Sequence, residues 1–472
     1  MTMNQTMEMF DVIVVGAGWY GLVAARTFLE LAPETNLLIL DDGKTVGGVW
    51  SKERIYPSLF AQISHPLFEY SFYPMPEEDV SPDGFVSGKI IQKYLESFAK
   101  DHNLMPRLRL NTRVEKVKRG PESDGWVLNI REKKPLACRK LIYATGANSS
   151  PIIPQWPRED FEKPVIHSLE LGKYQVSHAD YWRTPNAEKL RPRPYSDGVF
   201  WGSGGIGIAT APDFWETFHN GDVTIHSTEI NTLSHKDVVD LKNGYSIASD
   251  IVIHCTGFDK RYDAFEPSLR RELGLEYDSE EFSRWTMLDE KAERTVDELL
   301  PYLRDAASQY GDSKASKRTG HGPNRHYRRL VVPELAARGD RSILFPGHIH
   351  SAFAPLAAEL QALWGVTWML GWRDLPPREE MEAKAANFNA WARKRYLEQG
   401  KKHSYFIYDY IPYIDTLMKD LGLNPFRKSN AFEEWFVRYK PSGYKTILDE
   451  YMSLRRHQHE IDGTKAENGK AT

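Results

Sequence analysis

Cysteine is nearly absent from this chain, which has only Cys138 and Cys255 among its 472 residues. Two isolated thiols cannot build a disulfide framework, and neither sits in a C-x-x-C pair. Both lie in or beside apolar, strand-like runs, so ordinary burial is expected of each. An excess of charge of one sign is missing as well. With 61 basic and 65 acidic residues the formal net charge is −4, which gives no sign of a nucleic-acid-binding face. No hydrophobic run is long enough to span a bilayer. The most apolar stretch, residues 355–372, carries Glu359 and Gln361 and reads as a buried helix. The opening MTMNQTMEM has neither a basic region nor an apolar stretch, so it does not read as a signal peptide, and a soluble, cytoplasmic protein without a membrane partner is expected. The 15 histidines show no H-E-x-x-H or H-x-E spacing, so no metal site is expected.

Glycine is present where it carries information. MFDVIVVGAGWYGLVAARTFLELA reads as a short buried strand, a tight turn and a helix, with Gly16-x-Gly18-x-x-Gly21 at the turn. Gly16 makes the turn, Gly18 lets backbone approach a pyrophosphate, and Gly21 allows close helix–strand packing. Backbone N–H groups and the helix dipole then hold the phosphates without a basic side chain. A second apolar strand, residues 36–40, ends in Asp41, placed to accept hydrogen bonds from ribose hydroxyls. The doublet Gly47-Gly48 follows, and after it Val49 and Trp50. Two further segments, LIYATGANSSP and DIVIHCTGFD, run apolar strands into Thr-Gly.

These segments resemble the two-domain flavoproteins that include the flavin-containing and Baeyer–Villiger monooxygenases. The resemblance also takes in YPSLFAQISHPLFEYSFYPMP, a second glycine turn and FPGHIHSAFAPLAAELQALW, and it covers most of residues 10–370. It implies FAD held by Gly16, Ala17, Gly18, Gly21, Asp41, Gly48, Val49, Trp50, Gln62, Val114, Thr145 and Gly146. It further implies that NADPH reduces the flavin, and that molecular oxygen adds to give a flavin (hydro)peroxide. That species oxygenates an amine or sulfide, or inserts oxygen beside a ketone, in a small or medium organic substrate. The absence of C-x-x-C separates the chain from the flavoprotein disulfide reductases. Gln62 stands where many flavin-containing monooxygenases place an asparagine beside the flavin, so it leads the catalytic candidates. His348 and His350 follow. They lie two apart near the expected flavin face, and in extended chain both point to one side as a proton relay or substrate contact. Asn324 to Arg329 form a basic cluster that reads as solvated surface, with a phosphate contact as the lesser alternative. A homo-oligomer is possible and undetermined.

The second turn, Gly202-x-Gly204-x-x-Gly207, makes Gly202, Ser203, Gly204, Gly205 and Gly207 candidates for NADPH phosphates. Ser227, Thr228 or His226 would then supply neutral hydrogen bonds past the next strand, residues 223–227. Its surroundings are poorer. The preceding strand is short, and Pro212 falls where a helix interior would lose about 3 kcal/mol. The following strand ends without a carboxylate, and no arginine stands immediately after it. In the family's F-x-G-x-x-x-H hinge, Phe161 and His167 match, whereas Lys163 replaces the glycine and Leu171 the aromatic residue. A flavin oxidase or dehydrogenase with an impaired nicotinamide site is therefore the alternative, and a non-catalytic flavin-binding protein the third reading.

The expected fold class is α/β, with two Rossmann-like dinucleotide-binding domains and a C-terminal helical region. The FAD domain, 8–158 and 336–372, is interrupted by an NAD(P) domain with a helical insertion, 159–335. Residues 373–455 are helical, and 456–472 a disordered tail.

Overall fold

The computed structural model describes residues 7–57, 59–77, 80, 84–121, 125–146, 150–173, 226–259, 262–275, 279–304, 324–349, 351, 353–396 and 409–468. The run FDVIVV becomes the core of β1 (Glu8–Val15), with Val12 to Val15 all buried. A strand apolar on both faces belongs in the middle of a parallel sheet covered on both sides, and β1 lies there. It pairs in parallel with β2 (Leu37–Leu40) and β8 (Leu136–Tyr143). Beyond β2 is the short β5 (Leu108–Arg109), after the hairpin β3 (Phe60–Ser64) and β4 (Phe85–Ser87). Beside the first half of β8 run the antiparallel β7 (Trp126–Ile130) and β6 (Val114–Arg119).

Register sets the site. Val15 stands level with Leu40 on one side and Tyr143 on the other. The three strands therefore end together, and their following loops open on one crevice. The strand order places β2 and β8 on opposite sides of β1, which is the switch point where open α/β sheets bind ligands.

Helix α1 (Trp19–Leu31) leaves the first glycine turn and packs under the sheet. Helix α2 (Gly88–Asp101) is capped by the Ser87 hydroxyl, which accepts the Ile90 N–H. After the intervening region the chain returns as β16 (Ile343–Leu344), parallel to the second half of β8.

The intervening strands are β9 (Ser150–Pro151), β10 (Val165–His167), β11 (Ile230–Ser234), β12 (Val238–Leu241), β13 (Ser246–Ala248), β14 (Val252–His254) and β15 (Phe258–Asp259). β10 pairs in parallel with β14, β15 in antiparallel with β9, and β11, β12 and β13 form an antiparallel meander. His167 pins this region. Its Nδ1 accepts the Leu169 N–H, so its Nε2 carries the proton donated to the Gly257 carbonyl at 3.1 Å. The second glycine turn and Pro212 lie outside the described residues. Residues 226 and 227 of the expected strand 223–227 are not in strand conformation, and the next strand belongs to the meander.

The helices continue with α3 (Pro267–Glu272), α4 (Ser279–Leu299), α5 (Pro333–Ala337) and α6 (Ala354–Met369), then α7 (Arg378–Arg395), α8 (Tyr410–Asp420), α9 (Ala431–Phe436) and α10 (Ile447–Asn468). In α6 every residue from Pro355 to Met369 is buried, and Gly365 lies so close to Leu344 that an added Cβ would sit 2.4 Å from Leu344 Cδ2. No helix among the described residues is long and apolar enough to cross a membrane. Two expectations change. α10 runs to Asn468 where a disordered tail from 456 was expected, because Arg456, Gln458, Glu460, Lys465, Ala466 and Glu467 favour helix. Of the two cysteines, Cys138 is buried, its thiol pushed up to about 12 by burial, whereas Cys255 is exposed.

Candidate functional site

A cavity of about 570 Å³ opens at the carboxyl ends of β1, β2 and β8. Its floor is the first glycine turn. Gly16 has φ +112°, and a side chain there would place Cβ 2.4 Å from the Ala144 carbonyl oxygen. At Gly21 a Cβ would fall 1.8 Å from the Gly16 oxygen, so helix and turn touch backbone to backbone. Gly18 faces Gly48 across the crevice, and the Gly47 N–H donates to the Ala17 carbonyl at 2.9 Å. The doublet predicted from sequence thus folds down onto the turn.

Asp41 ties the two together. Its Oδ2 accepts the Ala17 N–H and its Oδ1 the Gly43 N–H, each at 2.7 Å. Burial pushes its carboxyl up, opposed by these two amide donors and by Arg54. Asp41 also lines the cavity, and each oxygen keeps a lone pair for a further donor.

Above the turn, Val49 and Trp50 belong to a 3-10 turn over Gly48–Trp50, and the Trp50 ring meets Phe68 edge-on at 5.9 Å. Val114, Thr145 and Gly146 close the opposite wall with Arg113 and Arg131 at the rim. Ala354, at the start of α6, faces the same space as Gly18 and Trp19 at the start of α1. Neither helix has a side-chain cap at its N-terminus. Uncapped N–H groups and the positive ends of two helix dipoles therefore border one crevice. A pyrophosphate fits there, cradled by glycines that leave room for it.

The other candidates divide. Gln62 lies on β3, and its side chain falls outside the described residues, as do His350 and Gly202, Ser203, Gly204, Gly205 and Gly207. Ser227 is exposed and Thr228 half-buried in a bend before β11, where the Thr228 N–H reaches the His226 carbonyl. His348 is buried next to Gly347 and Ile349, which do line the cavity. Its imidazole turns toward the core, stacked on Tyr262 with Nδ1 at 2.8 Å from the Tyr262 hydroxyl. Within the segment 56–76, Phe68 reaches the cavity, while Tyr70 is fully buried and donates to the Trp19 carbonyl. The 324–329 cluster, read as solvated surface, is mostly interior: Arg325, His326, Tyr327 and Arg329 are all buried. Sequence reasoning missed Arg54, Arg131 and Ala354. For Ala354 a signal existed, a helix opening just after the glycine loop at Gly347.

Residues 10–185 match the FMO-like family, described as flavin-binding monooxygenase-like. The chain is 68% identical to the FAD-dependent monooxygenase DEP4 of Fusarium langsethiae, with 98% of each chain covered. It is 64% identical to the FAD-dependent monooxygenase DEP4 of Alternaria brassicicola, over 95% of this chain and 96% of that one. The Fusarium alignment extends over 566 positions against 472 residues here, so at least 94 of those positions face no residue of this chain. The fold is shared with the S-allyl-L-cysteine S-oxygenase from Allium sativum at a TM-score of 0.53, covering 96% of this chain and 99% of that one with 16% identity. The chain belongs to the FAD-dependent monooxygenases, and is an oxidoreductase enzyme.

Proposed function

We propose that the enzyme oxygenates a small or medium organic molecule, with FAD in the crevice above β1, β2 and β8 and NADPH as reductant. One observation carries the cofactor assignment: two uncapped helix N-termini meet over a glycine-lined turn held by Asp41. In this reading Gly16, Ala17, Gly18 and Gly21 build the pyrophosphate turn, Asp41 takes the ribose, and Gly48, Val49 and Trp50 cover the dinucleotide. Val114, Thr145 and Gly146 hold its other side. Bound there, FAD would supply hydride acceptance and oxygen activation.

The chain's own work is positioning and exclusion of water. Trp50, Phe68 and Ile349 give the crevice apolar walls, and in such surroundings hydrogen bonds to reacting atoms strengthen. Gln62, whose side chain lies outside the described residues, is the candidate carboxamide for the flavin edge. His350, outside the described residues, is the candidate for handling the proton. Oxygenation at a heteroatom and insertion beside a ketone are both compatible with these groups.

The reductant is tested by stopped-flow anaerobic mixing of the FAD-loaded enzyme with NADPH. Bleaching of the flavin is expected, and Gly204→Ala should slow it without loss of FAD. Loss of FAD from that variant would move the second glycine turn into the wrong unit. A second reading rests on the alignment gap. At least 94 positions carried by a relative at 68% identity have no counterpart here. If they fall in the nicotinamide-binding part, the substrate itself reduces the flavin. Anaerobic bleaching by a substrate panel, with NADPH inert, selects that reading.

A further inference from the structure

A second cavity, of about 240 Å³, lies between the 326–329 loop, α7 and α8, and shares no lining residue with the flavin crevice. Arg329 faces into it and is 2% exposed. Its Nη1 donates to the Asn324 carbonyl at 2.8 Å, and the Phe388 ring lies 4.4 Å from its guanidinium carbon. Its Nε and Nη2 are buried and have no hydrogen-bond partner among the described residues. A guanidinium out of water with two idle donors is costly, and native structures seldom leave one so.

The charged neighbours do not supply the missing acceptor. Asp420 is taken by Arg328, Asp409 by Tyr396 and Arg395, and Lys384 pairs with Glu380. Arg328 also shows what the idle edge is shaped for. Its own Nε and Nη2 grip the two Asp420 oxygens at 2.7 and 2.9 Å. Arg329, which lines the cavity beside Phe388 and Trp391, leaves the same two atoms buried without an acceptor. That fork matches a carboxylate in geometry and charge, and aromatic walls suit an apolar body attached to it.

We propose that this cavity is a binding site for a small organic carboxylate, held in two-point contact by Nε and Nη2 of Arg329 with its apolar part against Phe388 and Trp391. The site stands one relay from the flavin crevice. Tyr413 lines the carboxylate cavity, its hydroxyl accepts from Gln361 Nε2 at 2.7 Å, and Gln361 Oε1 accepts the Gly347 N–H at 2.9 Å. Gly347 lines the crevice.

Benzoate, a carboxylate on one aromatic ring, is the probe, titrated calorimetrically into the FAD-loaded full chain. The expected result is a one-to-one isotherm, with benzamide binding at least tenfold more weakly because it lacks the charge. Arg329→Gln should weaken benzoate at least tenfold at unchanged FAD content. Thr416→Phe, which fills the cavity and keeps the guanidinium, should do the same, and it carries the test if the arginine variant does not fold. Absence of saturable heat in the wild-type protein overturns the proposal. So does equal affinity for benzamide, or wild-type affinity in Thr416→Phe.

Discussion

Asp41 serves two tasks with one carboxylate. It fastens the glycine turn through Ala17 and Gly43, and it presents its remaining lone pairs to the crevice. Charge-assisted bonds of this type contribute about 1.5–3 kcal/mol each. Asp41→Ala should therefore weaken FAD at least tenfold, read by flavin fluorescence recovery on dilution. Asp41→Asn, which keeps an acceptor, should lose less. Glu359 gives a pH-dependent counterpart. Wholly buried on α6, its carboxylate accepts both the Ser71 N–H and the Ser71 hydroxyl, the latter at 2.6 Å. Burial pushes its carboxyl up to about 8, against the pull of Ser71 and Arg26. The folded state thus binds this proton more tightly than the unfolded chain, so its contribution to stability is full below the ordinary glutamate range and lost as pH rises toward 8. Thermal midpoints of the wild-type protein should fall across that window, and Glu359→Gln should flatten the slope; an unchanged slope in the variant would assign it to other groups. The packing roles of Gly16 and Gly21 were legible in the sequence because their spacing came with a strand before it and a helix after it. The turn of His348 toward Tyr262 was not, since two-residue periodicity fixes relative sides and not which side faces ligand.

Among elements, β1, α1 and α6 could be read from the chain because their apolar runs bury whatever the partner. The C-terminal helices were expected as helix over 373–455, but where they pack could not be read, since their positions depend on single long-range contacts. Asp420, at the end of α8, is the clearest of these. It accepts the Arg328 fork, the Trp364 indole N–H at 2.9 Å, and through its carbonyl the Arg373 guanidinium. Nothing in the pattern of residues 410–420 announces that a helix terminus will gather groups from a loop and from α6. The same contact explains why the 324–329 cluster is interior: Arg328 has a fixed anion to enter with, and Arg329 lies next to it in the chain. Asp420→Ala should strand Arg328 in a mostly buried place and cost about 3 kcal/mol in denaturant unfolding. Asp374→Ala, whose carboxylate is exposed beside Arg341, should change stability little. Equal effects from the two substitutions would remove the argument from burial.

At the scale of the whole molecule, the flavin crevice is a junction. Its lining comes from residues 15–68, 112–150, 263–264 and 347–354, brought together only because β16 returns to β8 after the intervening region. The sequence named the first two stretches through their glycines and Thr-Gly, and the last through its resemblance. It gave no sign of Asp263 or Ala264, which arrive by the backbone bond from Val117 N–H to the Ala264 carbonyl. A ligand bridging such separated segments stabilises all of them at once, because the unfolded chain has no crevice for it. Saturation a hundredfold above the dissociation constant contributes about 2.7 kcal/mol. Flavin-stripped protein should therefore melt several degrees below the FAD-loaded form, with the midpoint rising as the logarithm of added FAD. A melt indifferent to FAD would place the cofactor elsewhere. NADP⁺ added to the FAD-loaded protein then separates the two readings of the reductant. A further rise means that the chain keeps a nicotinamide site despite the 94 or more alignment positions it lacks; no rise at NADP⁺ concentrations that shift the relatives means that the site went with those positions.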